Sequence, residues 1–111
     1  MVRINDLIEG LSLKVIVKGD TNRQIRGCYI SDLLSDVMAN SSEGQIWITL
    51  QTHPNIIPVA IIKNLSGIII TNNRTPEADT IKKAEEENIT ILSTSLTTFE
   101  IAGLLYKMLK G

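Results

Sequence analysis

One cysteine, one histidine, one tryptophan and one phenylalanine are all that these 111 residues hold of those types, and each scarcity closes off a class of chemistry. A lone Cys28 can form no internal disulfide and anchor no cysteine-based metal site. Its ordinary role is that of a small buried hydrophobe. His53 has no second histidine and no nearby Asp or Glu at ligand spacing, so no metal is expected. The aromatic residues Tyr29, Trp47, Phe99 and Tyr106 are too few to build a stacking platform for single-stranded nucleic acid. Eleven Lys and Arg against twelve Asp and Glu leave a net charge of -1, and the cations gather into no strip. No nucleic-acid partner is therefore expected. The charge run Lys82-Lys83 with Glu85-Glu86-Glu87 has mixed sign and reads as a solvated helix face.

Long apolar runs are missing too. Val59 to Ile70 is broken by Lys63-Asn64 and Gly67, well short of a membrane span. The N-terminus shows no charged region followed by an apolar run and cleavage site. The expectation is a cytoplasmic protein with no membrane partner. Gly-x-Ser-x-Gly, Gly-x-Gly-x-x-Gly and the Gly-x-x-x-x-Gly-Lys-Ser/Thr phosphate loop are all absent, so neither a nucleophile elbow nor a phosphotransferase is supported. No cofactor is expected.

What is present is alternation. Ile4, Leu7, Ile8 and Leu11 recur at helical spacing, with Gly10 near the stop. Leu13 to Val17 reads as a first strand, followed by a polar loop from Thr21 to Arg26 and a short extended piece, Gly27 to Ile30. Ser31 is the expected N-cap of a helix whose stripe is Leu33, Leu34, Val37 and Met38. The run from Ile46 to Leu50 is apolar on both alternating faces and predicts a doubly covered strand. Asn55 is the expected cap of a helix to about Lys63, with Pro58 in its first turn. Gly67 to Thr71 is a further strand; Thr75-Pro76-Glu77 opens a helix that buries only Ile81 and Ala84 and stops at Asn88. Ile89 to Leu92 is the last strand, and Thr97 with Glu100 makes a capping box for the last helix. The pattern predicts one domain over residues 1–111, a three-layer α/β/α sandwich around a mostly parallel sheet of about five strands.

In such sheets ligands bind beyond the carboxyl ends of the strands. Those ends read Lys18-Gly19-Asp20, Gln51-Thr52-His53, Thr71-Asn72-Asn73 and Thr94-Ser95, all polar, and most precede a helix. Free N–H groups and the positive dipole end would suit an anionic or nucleotide-like ligand. The expected ligand-binding residues are Asp32, Gln51, Thr52, His53, Asn72 and Thr94. The alternative is that these are ordinary polar loops and caps. His53 could act as a general base with Asp32 or Asp36, which stand one turn apart, although a solvated face explains that pair as well.

Asp20-Thr21-Asn22-Arg23, continued through Gly27-Cys28-Tyr29-Ile30-Ser31-Asp32-Leu33-Leu34-Ser35-Asp36-Val37-Met38, resembles the DRTGG domain. So do Trp47 to Asn55 and Gly67 to Thr71, and the likeness runs from about Val15 to the end. The motif departs from its pattern at Cys28, which stands second where a Gly-Gly pair begins with Gly27. The resemblance implies a domain like the N-terminal domain of HPr kinase/phosphorylase, without the kinase site. Such domains occur beside acetyltransferase, CBS and pyrophosphatase domains, where a regulatory or ligand-binding role is expected; some accompany redox-signalling components. It also implies a homodimer. The wide apolar band of the last helix, with Leu104, Leu105 and Met108, fits either a dimer face or packing against the first helix. Three functions stay open: a non-enzymatic regulatory domain that binds a small anion or nucleotide, a ligand-free module that docks to a larger redox or signalling enzyme, and a small enzyme built on His53.

Overall fold

The computed structural model describes residues 1–111. Its elements follow as α1 (Ile4–Leu11), β1 (Lys14–Val17), β2 (Cys28–Ile30), α2 (Leu34–Asn40), β3 (Ile46–Thr49), α3 (Ile56–Ile62), β4 (Gly67–Ile70), α4 (Ala78–Glu87), β5 (Ile91–Ser93) and α5 (Thr98–Lys110). The five strands form one sheet in the order β1-β5-β4-β3-β2. β2 to β5 are parallel and β1 runs antiparallel on β5. The predicted three-layer α/β/α sandwich with a mostly parallel sheet is what forms.

The layers follow from residue parity. In β3, Ile46 and Ile48 point to one face and Trp47 to the other, and all are fully buried. Trp47, Ile68, Ile70 and Ile91 pack under α2, α3 and α4 through Val37, Ile56, Ile57, Ala60 and Ala84. Ile46, Ile48, Ile69 and Leu92 pack under α1 and α5 through Ile4, Leu7, Ile101 and Leu105. Two apolar clusters on opposite faces explain why the inner strands carry no polar position except Thr49 and Ser93, both buried.

The direction of β1 corrects one expectation. Lys14 pairs with Ser93 and Val17 with Ile91, so Lys18-Gly19-Asp20 lies at the amino edge of the parallel strands, not at the ligand-binding edge. Gly19 is required there. At φ 55° a Cβ would stand 2.7 Å from the Thr90 nitrogen, and Thr90 Oγ1 donates to the Lys18 carbonyl at 2.8 Å. The adjoining Asp20-Thr21-Asn22-Arg23 loop is a clamp at the same edge. Asp20 Oδ1 accepts the Asn22 amide, while Arg23 Nη2 donates to the Asn64 carbonyl at 2.6 Å.

Two helix starts differ from expectation, and a third, α3, starts where expected but without its side-chain cap bond. α2 begins at Leu34, because Ser31 Oγ accepts the Leu33 amide in a local turn and Asp32 reaches toward β3. Asn55 holds the cap position of α3, but its side chain makes no capping bond; its own amide donates to His53 Nδ1. α4 begins at Ala78, capped in position by Glu77 rather than Thr75, since the Glu77 amide donates to the Thr52 carbonyl. The same helix buries Thr80 besides Ala84, and Thr80 Oγ1 donates to that carbonyl too, at 2.7 Å. The Asn88 stop, left-handed at φ 58°, and the Thr97–Glu100 capping box form as predicted.

Candidate functional site

The carboxyl edge is built from the loops after β2, β3, β4 and β5. α4 returns on one face of the sheet and α5 on the other, so the loops after β4 and β5 diverge; this is the place where open sheets bind ligands. Here backbone bonds bridge that divergence. Asn72 and Asn73 adopt left-handed φ of 59° and 55°, and their amides donate to the carbonyls of Leu96 at 2.9 Å and Thr94 at 2.8 Å. Thr94 Oγ1 accepts the Leu96 amide, and the hydroxyls of Thr71 and Thr98 bond at 3.0 Å.

The six expected site residues divide into two sets. Asp32, Gln51 and Thr94 spend their polar groups on the protein. Asp32 Oδ1 accepts Thr49 Oγ1 at 2.8 Å and the Leu50 amide at 2.7 Å, while Gln51 Nε2 donates to the Asp32 carbonyl at 2.8 Å. Thr52 and Asn72 make only backbone bonds, which leaves their side chains open, and His53 uses Nδ1 alone. In the neutral ring that bond makes Nδ1 the acceptor and leaves Nε2 as the donor.

Sequence reasoning passed over Arg74. Its Nη1 donates to the Leu50 carbonyl at 3.0 Å, tying the loop after β4 to the end of β3. A guanidinium carries five N–H donors, so most of its capacity remains at an exposed edge position. An arginine directly before Thr75-Pro76, in a loop that precedes a helix, was the available signal.

Asp36 does not join Asp32. Both its oxygens accept Tyr29 Oη at 2.9 Å, and Oδ1 also accepts Asn40 Nδ2 at 2.8 Å. The Asn40 amide above all, then the Ser31 and Tyr29 hydroxyls, hold the Asp36 carboxyl below its usual range. The bond to that carboxylate, with some burial, pushes the Tyr29 phenol up. Thus the three side chains named for a base-catalysed reaction are bonded to different groups. No group of three or more His, Cys, Asp and Glu is arranged to hold a metal ion.

A groove of about 670 Å³ lies elsewhere, on the α5 face, between β2 and α5. Gly27, at φ 139°, turns the chain into β2 there, a conformation that favours glycine. The next residue, Cys28, sits in regular strand and half-buried, so a side chain fits where a second glycine was expected. Burial pushes the Cys28 thiol up to about 12. Leu105 is buried and Met108 half-buried, with Met108 Cε lying against Gly10, so those two members of the α5 band pack on α1. Leu104 stays 43% and Phe99 88% exposed.

Fold and edge together define a small α/β domain with a mostly parallel sheet and a polar carboxyl edge. The sequence matches the DRTGG domain over residues 6–108, and the chain belongs to that family. Among solved structures it is similar to the CBS and DRTGG domains of the regulatory region of Clostridium perfringens pyrophosphatase, complexed with its activator diadenosine tetraphosphate. The TM-score is 0.74 at 20% identity, over 93% of this chain. This chain spans 45% of the length of that one. No curated protein matches the sequence. No helix is long and apolar enough to cross a membrane.

Proposed function

We propose that residues 1–111 form one regulatory or sensory domain, not an enzyme, that binds a small anionic, nucleotide-like ligand at the strand carboxyl ends. The single observation that carries this reading is the state of the loops after β3 and β4. Thr52, His53, Asn72 and Arg74 keep side-chain donors free at one edge, while Asp32, Gln51 and Thr94 hold the loops in shape. Arg74 supplies the positive charge that the other six residues lack, and its planar fork suits a phosphate. Family membership supports a regulatory role, and the similar regulatory region is one that takes a nucleotide activator.

Binding would bias a homodimer between two arrangements, with Phe99 and Leu104 the exposed apolar residues of α5 outside the β2 groove, left for a second copy. The test is ATP titrated into labelled protein and followed at backbone amides. Shifts are expected at Gln51 to Asn55 and Asn72 to Arg74, and Arg74→Ala should weaken affinity about tenfold or more. Unchanged affinity in both Thr52→Ala and His53→Ala would move the site elsewhere. The second reading, a ligand-free docking module, is favoured by the groove beside β2.

A further inference from the structure

The groove beside β2 is not part of the carboxyl edge, and its backbone has a property that apolar walls alone would not provide. The Ile46 amide donates to Gly27 O, and the Ser31 amide donates to Ile48 O. Those two bonds set the phase of the parallel ladder: residues 27, 29 and 31 face β3. The N–H and C=O groups of Cys28 and Ile30 therefore point away from the sheet, along its open edge. The side chains of the same two residues form one wall of the groove, and Tyr106 and Leu109 of α5 form the facing wall. An extended chain laid here gains backbone bonds on one side and apolar contact beneath.

Charge narrows the occupant. The lining includes two cations, Arg26 and Lys110, and no acid. Both stand at the same end, because Arg26 precedes β2 while α5 runs back from the carboxyl edge to finish at Lys110. The Arg26 stem lies against Gly44 at the amino edge, and its guanidinium makes no hydrogen bond within the protein.

We infer that the β2–α5 groove receives an extended segment of a partner protein, added as a strand to Cys28–Ile30. The segment has apolar side chains at alternate positions and an acidic residue at the end that meets Arg26 and Lys110. This holds whether or not a ligand occupies the carboxyl edge. The free edge is short, three residues, so it offers two donors and two acceptors and reads a correspondingly short core motif.

The test selects a random twelve-residue peptide library on the intact protein, then measures amide hydrogen exchange with the selected peptide bound. Selected peptides should alternate apolar residues and carry an acid at one end. The amides of Cys28 and Ile30 should exchange freely in the protein alone at any concentration and become protected with peptide. The double variant Arg26→Glu, Lys110→Glu changes only exposed side chains; it should keep the exchange pattern of the core and lose affinity about tenfold or more. Three results would overturn the inference: protection of Cys28 and Ile30 that rises with protein concentration and no peptide, which would mean a second copy; peptides without acids that bind the double variant equally well; or no enriched peptide that protects those two amides.

Discussion

Asp32 holds the end of the central strand, its Oδ1 accepting the Leu50 amide at 2.7 Å from 18 residues away. The same oxygen takes the Thr49 hydroxyl, and the Asp32 carbonyl takes the Gln51 amide group. A residue chosen for ligand contact thus shapes the loop that would present Thr52 and His53. Asp32→Ala should cost about 1.5–3 kcal/mol, the range for hydrogen bonds to a charged group. Asp32→Asn, which keeps an acceptor, should cost less. Urea unfolding measures both; equal stability of wild type and Asp32→Ala would show that the bonds do not matter.

Tyr29 and Asp36 form a second prediction, in pH. The Tyr29 phenol ionises above its ordinary value near 10, because its proton is bonded to the Asp36 carboxylate. A raised phenol contributes stability that is present below the unfolded value and lost as pH rises through the folded one. The lowered Asp36 carboxyl contributes stability above its ordinary acid range, lost as pH falls through its folded value. Carbon-13 shifts of the Tyr29 ring should show its titration moving down in Asp36→Asn. An unmoved titration would contradict the pair.

Cys28 should be nearly inert in the folded state. With the thiol pushed up to about 12 from an ordinary 9.0, its thiolate at pH 8 is on the order of a thousandfold scarcer than in the unfolded chain. Alkylation by iodoacetamide should therefore track unfolding. By linkage, stability contributed at this site is complete below pH 9 and lost between about 9 and 12. Rapid alkylation of folded protein at pH 8 would refute the burial argument.

Gly19→Ala should destabilise the fold through both a left-handed φ of 55° and a clash with Thr90. Strain of this type costs about 1–3 kcal/mol, so a melting point within a degree of wild type would contradict it. Gly103, where an added methyl would meet nothing within 4 Å, is the control: Gly103→Ala in α5 should be stabilising, by roughly 0.5–1 kcal/mol.

Much of the fold was legible because parity and capping are local. Ile46, Ile48 and Leu50 alternating with Trp47 announced a doubly covered strand, and Thr97 with Glu100 announced α5. The direction of β1 was not legible, since Leu13 to Val17 reads the same parallel or antiparallel; only its pairing with β5 moves Lys18-Gly19-Asp20 to the far edge. The start of α2 was misplaced for a related reason. Ser31 and Asp32 have good caps' chemistry, but they find partners in Leu33 and in β3, and the second of these is distant in sequence. Arg74 and the β2–α5 groove depend on which loops and elements become neighbours, which one strand's pattern does not carry.

The central claim is that the carboxyl edge takes a nucleotide-like anion. The direct measurement is a thermal-shift panel on purified protein with adenine and guanine nucleotides, dinucleotides, phosphate and sulfate. A ligand at about a hundred times its dissociation constant adds roughly 2.7 kcal/mol, several degrees for a domain of this size. The account predicts such a shift for one nucleotide class, abolished in Arg74→Ala. A flat panel on folded protein, or a shift that survives in Arg74→Ala, would contradict it.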